Sequence, residues 1–365
     1  MSICTLQIKK FIILRLFVAP RCEILTFAPY IKYSARMFPS SIASGDINND
    51  NNWDIIIVNS FDGTIGIYIG DGNGTFSPLE PLVVDSPTKA SLGNFNGDDY
   101  IDIILISQND QSVAVLLGYG DGTFQQEIIS PTIDEASGIS VADVNNDRKA
   151  DLIVYSSDSG KINVLLGHGD GTFQSATIIT TNHQIGDVAT GNFNGDQYLD
   201  FVASNQDNNS VSIYLGYGNG SFQVKQSFPA GLYVARLAVA DFNHDSKMDL
   251  ATANAYDNTT SILLGYGNGT FQEQQIYRTN ADPVVIAVDN FNGDSYIDLV
   301  VTNLNDAMVS ILLGYGNGSF SEPISFNVDL SPSSIAIADF NNDGRPDISV
   351  SNTFSNAISI LINLC

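Results

Sequence analysis

Four oxygen-bearing side chains stand at a fixed spacing in the segment DNFNGDSYIDLVVTN, residues 289–303. Asn290, Asn292, Asp294 and Asp298 occupy positions 1, 3, 5 and 9 of this motif, directly before a run rich in β-branched residues. Carboxylate and amide oxygens are typical ligands of a hard cation such as Ca²⁺. Asx residues can instead cap a turn by hydrogen bonding to its backbone. One copy of the motif does not distinguish the two interpretations.

The motif occurs seven times. The copies begin at residues 46, 94, 143, 192, 241, 290 and 339, so the spacing is 48 residues once and 49 thereafter. A fixed period of this length is typical of a repeat architecture. Seven copies in register favour a cation site over simple turn capping. The predicted ligands of up to seven Ca²⁺ ions are Asp46, Asn48, Asp50, Asp54, Asn94, Asn96, Asp98, Asp102, Asp143, Asn145, Asp147, Asp151, Asn192, Asn194, Asp196, Asp200, Asp241, Asn243, Asp245, Asp249, Asn290, Asn292, Asp294, Asp298, Asp339, Asn341, Asp343 and Asp347.

The charge distribution supports a cation in these loops. The chain has 40 acidic and 15 basic residues, with a formal net charge of −25. Positions 1, 5 and 9 hold four, seven and seven aspartates, which is 18 of the 40 acidic residues. Carboxylates packed this closely repel one another unless a cation lies between them. The absence of His and Cys from the four ligand positions argues against zinc and copper, and the strict octahedral geometry of Mg²⁺ makes it less suitable than Ca²⁺.

An EF-hand is the main alternative for such a loop. It requires a Glu at position 12 and a helix on each side. Position 12 is instead apolar, for example Ile57, Leu105 and Val154, and it falls inside a predicted strand. The EF-hand interpretation is therefore rejected.

Each period also contains four short strand candidates. Apolar segments such as SIASGD, DIIIVNS and SVAVLLG are followed by a Gly-rich turn, GYGDGTF, and a more polar segment, QQEIIS. Asn-Gly and Asp-Gly pairs tolerate the positive φ angles of a tight hairpin. Four strands separated by turns predict an antiparallel blade, and seven blades predict an all-β, seven-bladed β-propeller. We expect residues 26–365 to form this single domain, because seven units of 49 residues account for nearly all 365.

The motif ADFNNDGRPDISVSN…ISIL, together with LLGYGNGTFQ, resembles the VCBS/FG-GAP repeat family, which includes the integrin α-chain propeller. The resemblance covers about residues 27–365. It implies a calcium-binding hairpin between two adjacent strands of each blade, and a role in adhesion, ligand binding or glycan binding. The stronger sites of the family carry Asp at position 1, whereas this chain has Asn94, Asn192 and Asn290 in three copies. We therefore expect four tighter and three weaker calcium sites.

The two ends of the repeat array are predicted to complete one blade. Phe27 precedes Asp46 by 19 residues, as the turn phenylalanines of the other repeats precede the next motif. TFAPYIKYSA is therefore expected to be an outer strand that completes the last blade, whose AISILINLC ends where a hairpin should begin. Cys22 and Cys365 fall at neighbouring places in that missing turn, so we predict a disulfide between them. Cys4 has no predicted partner.

Residues 1–25 are interpreted as a signal-like segment. Residues 9–19, KKFIILRLFVA, combine a basic start with an apolar stretch too short to span a membrane. Secretion would also expose low-affinity loops to enough calcium to fill them. In four of the six N-glycosylation sequons the Asn is also that of the hairpin Asn-Gly, so turn chemistry explains them equally well. The sequons begin at Asn73, Asn208, Asn219, Asn258, Asn268 and Asn317.

The sequence offers little that indicates catalysis. His168, His183 and His244 occupy unrelated positions of the repeat, and neither a nucleophile elbow nor a P-loop is present. We therefore predict that the protein is not an enzyme. The strongly negative charge argues against nucleic acids and anionic membranes as partners.

Two functions from different classes remain. The first is a secreted, monomeric, calcium-binding module for protein or matrix interaction and cell adhesion. The second is a lectin that binds glycans at repeated sites between blades. Four tyrosines recur at one turn position and are interpreted as packing between blades, with sugar-stacking platforms as the alternative. They are Tyr119, Tyr217, Tyr266 and Tyr315.

Overall fold

The computed structural model describes residues 22, 24–107, 111–132 and 135–365, with only the backbone of Lys225. These residues form 29 β-strands and one turn of 3₁₀ helix, Gln206–Asn208. The strands assemble into seven antiparallel sheets, six with four strands and one with five. The expected all-β, seven-bladed propeller is confirmed.

The first strand, β1 (Ile31–Ser34), belongs to the last blade. Blades 1 and 2 contain β2 (Pro39–Gly45), β3 (Asp54–Asn59), β4 (Thr64–Gly70), β5 (Phe76–Pro78), β6 (Leu82–Val83), β7 (Pro87–Gly93), β8 (Asp102–Ser107), β9 (Ser112–Leu116) and β10 (Ile128–Pro131). Blades 3 and 4 contain β11 (Gly138–Ala142), β12 (Asp151–Ser156), β13 (Lys161–Leu165), β14 (Thr177–Thr180), β15 (Ile185–Gly191), β16 (Asp200–Asn205), β17 (Ser210–Gly216) and β18 (Phe222–Pro229). Blades 5 to 7 contain β19 (Val234–Ala240), β20 (Asp249–Asn254), β21 (Thr259–Leu263), β22 (Gln275–Arg278), β23 (Pro283–Asp289), β24 (Asp298–Asn303), β25 (Met308–Leu312), β26 (Ile324–Asn327), β27 (Pro332–Ala338), β28 (Asp347–Asn352) and β29 (Ala357–Leu361).

The first strand of each blade lies innermost. These strands contact one another around the ring, and β2 contacts both β7 and β27, so the ring is closed. The second strands, such as β8 and β24, are buried along their whole length, and accordingly they read as continuous runs rich in Ile, Leu and Val. The outer strands β22 and β26 alternate between half-buried and exposed residues because one face meets solvent.

The hydrophobic core lies between the blades. In one cluster, Tyr155 and Ile162 of blade 3 pack with Phe201 and Tyr214 of blade 4. The rings of Phe201 and Tyr214 stack with centroids 4.5 Å apart. A single blade therefore does not bury its own apolar faces, which is why the repeats are stable only as an array.

The last blade is completed by the N-terminus, as predicted. Strand β1 pairs with β29 in antiparallel register, with Ile31 opposite Ile360. Cys22 and Cys365 are joined by a disulfide with a Cα–Cα distance of 5.5 Å, which confirms the predicted pairing.

Asn363 takes over contacts that a hairpin glycine makes in other blades. Its backbone bridges Phe27, as Gly314 bridges Phe320. Its Nδ2 donates a hydrogen bond to the carbonyl of Phe291 at 2.9 Å, where other hairpins donate a glycine N–H to the preceding blade. The closure therefore preserves the contact between blades although the hairpin itself is missing.

Most of the signal-like segment lies outside the described residues, and so does Cys4. Leu25 is only 4% exposed and packs in the cluster that contains Phe291 and Val309. Cys22 and Leu25 thus belong structurally to the propeller. Within the described ranges, none of the helical structure has the length and apolar character that a membrane crossing requires.

The acidic loops as candidate metal centres

All seven motifs connect the first strand of a blade to its second. In each blade the aspartate at position 9 is the first residue of the second strand, for example Asp54 in β3 and Asp200 in β16. The Gly-rich hairpin between the third and fourth strands lies beside the loop, and Tyr100 packs directly against Gly120. We call the end of the propeller formed by these loops and hairpins the acidic face.

The position-9 aspartate connects the loop to the end of the third strand. In blade 4, Oδ2 of Asp200 accepts the N–H of Phe193 at 2.9 Å and Oδ1 accepts the N–H of Gly216 at 2.8 Å. A Cβ at Gly216 would lie 2.1 Å from the carbonyl oxygen of Leu199, so blade 4 depends on a glycine here, whereas blade 7 has Asn363 at the equivalent position. The equivalent pair of bonds is made by Asp54, Asp102, Asp151, Asp249, Asp298 and Asp347.

Burial perturbs these carboxyl groups. Each is fully inaccessible to solvent. Burial raises the pKa to about 6 for the position-9 aspartates of blades 1 to 5 and to about 7 for Asp298 and Asp347. The backbone N–H donors oppose this increase, whereas the position-5 aspartate of the same loop adds to it by charge repulsion. Negative charge therefore converges in every loop.

The loops adopt two conformations that follow the residue at position 1. In blade 1, the two oxygens of Asp46 accept the N–H groups of Asp50 at 2.9 Å and Asn51 at 3.0 Å. In blade 2, Oδ1 of Asn94 accepts the N–H of Gly97 at 2.7 Å, while its Nδ2 donates to the carbonyl of Asp98. We call these Asp-type loops (blades 1, 3, 5 and 7) and Asn-type loops (blades 2, 4 and 6).

Position 7 follows the same alternation. In the Asp-type loops of blades 5 and 7, Lys247 lies 3.1 Å from Asp245 and Arg345 lies 3.7 Å from Asp343. The Asn-type loops carry a tyrosine there: Tyr100, Tyr198 and Tyr296. Position 7 was not among the residues singled out from the sequence, although comparing it with position 1 in each copy shows this correlation. A basic residue partly offsets the third carboxylate in three of the four Asp-type loops, and blade 1 has Asn52 instead.

The loops already contain turn-capping hydrogen bonds. In blade 4, Asn194 Oδ1 accepts the N–H of Asp196 at 3.0 Å, and Asp196 Oδ1 accepts the N–H of Tyr198 at 2.7 Å. Among the described residues, no group of three or more His, Cys, Asp or Glu side chains is arranged to hold a metal ion by itself. A calcium ion would need the amide and backbone oxygens as well. An all-oxygen donor set with converging negative charge fits such an ion.

Asp200→Asn separates the structural role of position 9 from calcium binding. The new amide places an N–H beside a backbone N–H, so we expect the free energy of unfolding to fall by about 2 kcal/mol even in chelator. Urea denaturation in excess chelator measures this free energy of unfolding. Asp196→Asn is the matched control in the same loop and should cost less than half as much under these conditions. Equal losses in the two variants would contradict the structural role.

The other residues singled out by sequence do not converge. His168 is exposed in a hairpin, His183 lies 3.3 Å from Asp207, and the ring of His244 contacts Tyr296 at a centroid distance of 5.2 Å. The four turn tyrosines are 54–57% exposed, which is more than packing between blades would leave. In all four hairpin sequons, the Asn accepts a bond from the N–H of the residue two positions later, such as Ser221 N–H to Asn219 at 3.0 Å.

Structural comparison places the chain among known propellers. It resembles the BBS1 N-terminal domain crystallised in complex with ARL6 (10% identity, TM-score 0.67, covering 92% of this chain and 96% of that one). It also resembles an Agrocybe aegerita lectin that recognises non-reducing terminal N-acetylglucosamine (16% identity, TM-score 0.60, covering 87% of this chain and 86% of that one). A third similar structure is virginiamycin B lyase from Staphylococcus aureus (14% identity, TM-score 0.61, covering 92% of this chain and 99% of that one). These identities establish the fold alone, and the fold serves both binding proteins and an enzyme.

Sequence comparison identifies the repeat. No curated protein matches the chain at a significant level. The FG-GAP-like repeat family matches five segments of the chain, residues 94–154, 151–203, 192–252, 241–301 and 290–350. Because these matches together cover more than half of the chain, and each contains acidic motifs described above, the protein belongs to the FG-GAP-like repeat family.

Proposed function

We propose that this protein is a secreted, calcium-stabilised propeller that binds a partner protein, without catalysis, through an apolar patch opposite the acidic face. The observation that carries the proposal is the exposure of five large apolar side chains at the junction of blades 7 and 1. They are Met37, Phe38, Phe61, Leu330 and Phe354, and we call them the junction patch.

The patch is built from the loops at the far ends of the two blades. Phe61 and Phe354 stand at the same repeat position, between the second and third strands, and each is 73% exposed. The Phe38 and Phe354 rings contact each other with centroids 6.2 Å apart. Backbone bonds hold the loops together, with the N–H of Ser60 donating to the carbonyl of Phe38 at 3.1 Å.

Such a patch is unusual on a charged chain. Large exposed apolar groups that lie together mark interaction sites more reliably than isolated ones do. Aromatic side chains also supply much of the binding energy of protein interfaces. The whole chain carries a net charge of −25, which favours solubility and leaves the uncharged patch as the surface suited to association.

Calcium and secretion enter the proposal from different observations. The motif residues would hold the ion, which would neutralise the converging carboxylates and stabilise the loops. A disulfide between Cys22 and Cys365 is typical of an oxidising compartment, where calcium is also abundant.

A lectin is the second candidate, because the turn tyrosines are exposed. Tyr217, Tyr266 and Tyr315 present more than half of their surface on three consecutive blades of the acidic face. Exposed aromatic faces at repeated positions suit stacking on sugar rings. A glycan array measured with the wild type and with Tyr266→Ala distinguishes this function, since binding to one sugar class that weakens in the variant supports the lectin.

The double variant Phe61→Asp/Phe354→Asp tests the junction patch. Both side chains are largely exposed, so we expect stability to change by less than about 1 kcal/mol. Binding to a partner that uses the patch should weaken at least about 100-fold, because charges would be buried in an apolar contact. Proteins captured from extracellular matrix extract by the wild type are identified, and their affinities for both forms are measured by surface plasmon resonance.

Tyr256→Asp is the matched control. Tyr256 occupies the same repeat position in blade 5 and is 71% exposed. Partners of the patch should bind this variant as tightly as the wild type. If every captured protein binds the double variant with unchanged affinity, the junction patch is not the interface.

A further inference from the structure

One position of the inner strands carries a charged side chain in blades 2, 4 and 5. It lies five residues before the motif, towards the end of the propeller opposite the acidic face. The side chain at this position reaches the next blade: Oγ of Ser334 accepts the N–H of Ile42 at 3.3 Å. The seven positions surround the central channel expected of a propeller. They are Ser41, Lys89, Gly138, Asp187, Arg236, Val285 and Ser334.

Tyr155 fills the place of the missing side chain in blade 3. A Cβ at Gly138 would lie 2.1 Å from Cζ of Tyr155, so the tyrosine from the second strand occupies that space. Its hydroxyl donates to the carbonyl of Gly186 at 2.9 Å and lies 3.3 Å from Oδ1 of Asp187. Blades 2 to 5 therefore present Lys89, Tyr155, Asp187 and Arg236 in sequence, which we call the axial cluster.

The axial cluster has two cations and one carboxylate. Lys89 Nζ lies 3.4 Å from the Tyr155 hydroxyl and 5.7 Å from the ring centroid. Arg236 Nη1 donates to the carbonyl of Gly186 at 2.8 Å. Asp187 accepts the N–H of Leu237 at 3.1 Å in addition to its contact with Tyr155. Within the described part of the chain, neither cation has a carboxylate within ion-pair distance.

Among the described residues, the two cations of the axial cluster have no carboxylate in an ion pair with them, and they repel each other. Burial lowers the pKa of Lys89 to about 7, and the neighbouring Arg236 guanidinium lowers it further than the Asp187 carboxylate raises it. Lys89 and Arg236 are both half-buried, and a partly desolvated cation is stabilised by a nearby counter-ion. The ring positions across the axis are small, with Ser41, Val285 and Ser334, so they do not fill the space beside the cluster with bulk or charge.

We propose that the axial cluster is a binding site for a small oxyanion, held between Lys89 and Arg236. A planar carboxylate or a tetrahedral sulfate or phosphate group offers oxygens to both donors, and charge-assisted hydrogen bonds of this kind are the stronger ones. Lys89 supplies a compact charge, and the Arg236 guanidinium supplies a fork that matches oxyanion geometry. The site is independent of the acidic face and of the junction patch.

Isothermal titration calorimetry of the calcium-loaded protein tests the site. Sodium sulfate and sodium acetate are compared with sodium chloride at equal ionic strength, and phosphoserine tests an oxyanion carried by an organic molecule. We expect one site per chain with a dissociation constant below about 1 mM for at least one oxyanion, and a melting temperature raised by about 2 °C at tenfold excess over it. Chloride should produce neither effect.

Lys89→Met keeps the side-chain length and removes the charge, so binding should weaken at least tenfold. Lys89→Arg should retain it. Arg278→Gln removes one exposed charge from the outer strand β22 and is the control for general screening. Binding that persists in Lys89→Met, or a wild type that does not distinguish the oxyanions from chloride, overturns the proposal. The second comparison needs no variant and so holds even if Lys89→Met does not fold.

Discussion

Excess chelator is expected to lower the melting temperature of the calcium-loaded protein by about 10 °C. With a dissociation constant of about 10⁻⁴ M and about 1 mM free calcium, each site adds roughly 1.4 kcal/mol by linkage. Seven sites would contribute on the order of 10 kcal/mol, comparable with the net stability of a whole domain. The physical source is the repulsion among carboxylates in each loop, which the ion removes. Differential scanning calorimetry with and without chelator measures the change.

Two further measurements make this result specific to the loops. Magnesium at the same concentration should restore little of the stability, because its smaller octahedral shell fits irregular oxygen cages poorly. Calorimetric titration should resolve four sites in the Asp-type loops and three weaker sites in the Asn-type loops. A melting curve that chelator leaves unchanged would falsify the calcium proposal, and seven equivalent sites would contradict the two loop classes.

Cys22→Ser is expected to lower the free energy of unfolding by about 4–5 kcal/mol, the second largest effect. The disulfide joins residues separated by 343 positions, so its loss frees nearly the whole array in the unfolded state. Cys365→Ser should cost the same amount, and the double variant should lose no more than either single one. Chemical denaturation of the three variants measures these values. Cys4→Ser, which lies outside the described residues, is the control, and a loss there as large as in Cys22→Ser would contradict the assignment.

The fold was predictable because the sequence repeats it seven times. Strand segments similar to DLVVTN recur at the same place in each repeat, so the seven copies support one another's strand assignments. The number of blades then follows from the period. The closure was predictable from the same register, because Phe27 and Asn363 mark where one repeat is divided between the two ends. The cysteines then fell beside each other without any structural information.

The chemistry inside the loops was less predictable. Sequence reasoning counted Asp200 and its equivalents as metal ligands, whereas their two backbone bonds, to Phe193 and Gly216 in blade 4, form only once β16 and β17 are paired. The junction patch and the axial cluster were missed for a related reason. Phe61 and Phe354 are 293 residues apart, and Lys89, Tyr155 and Arg236 come from three blades. Only closure of the ring brings such residues together. A search for what the repeats share also ignores the positions at which the copies differ.

Seven is an odd number, and two alternating loop types cannot alternate all the way around an odd ring. One junction must therefore join like neighbours, and it falls between blades 7 and 1, where the chain also closes. Between blades 5 and 6, the position-4 residue of the Asp-type loop, His244, contacts the position-7 tyrosine of the next blade, Tyr296. At the seam, Nδ2 of Asn342 instead donates to Oδ1 of Asn52 at 2.9 Å. Asn52, the position-7 residue that is neither basic nor aromatic, therefore lies at the one junction where two Asp-type loops are neighbours.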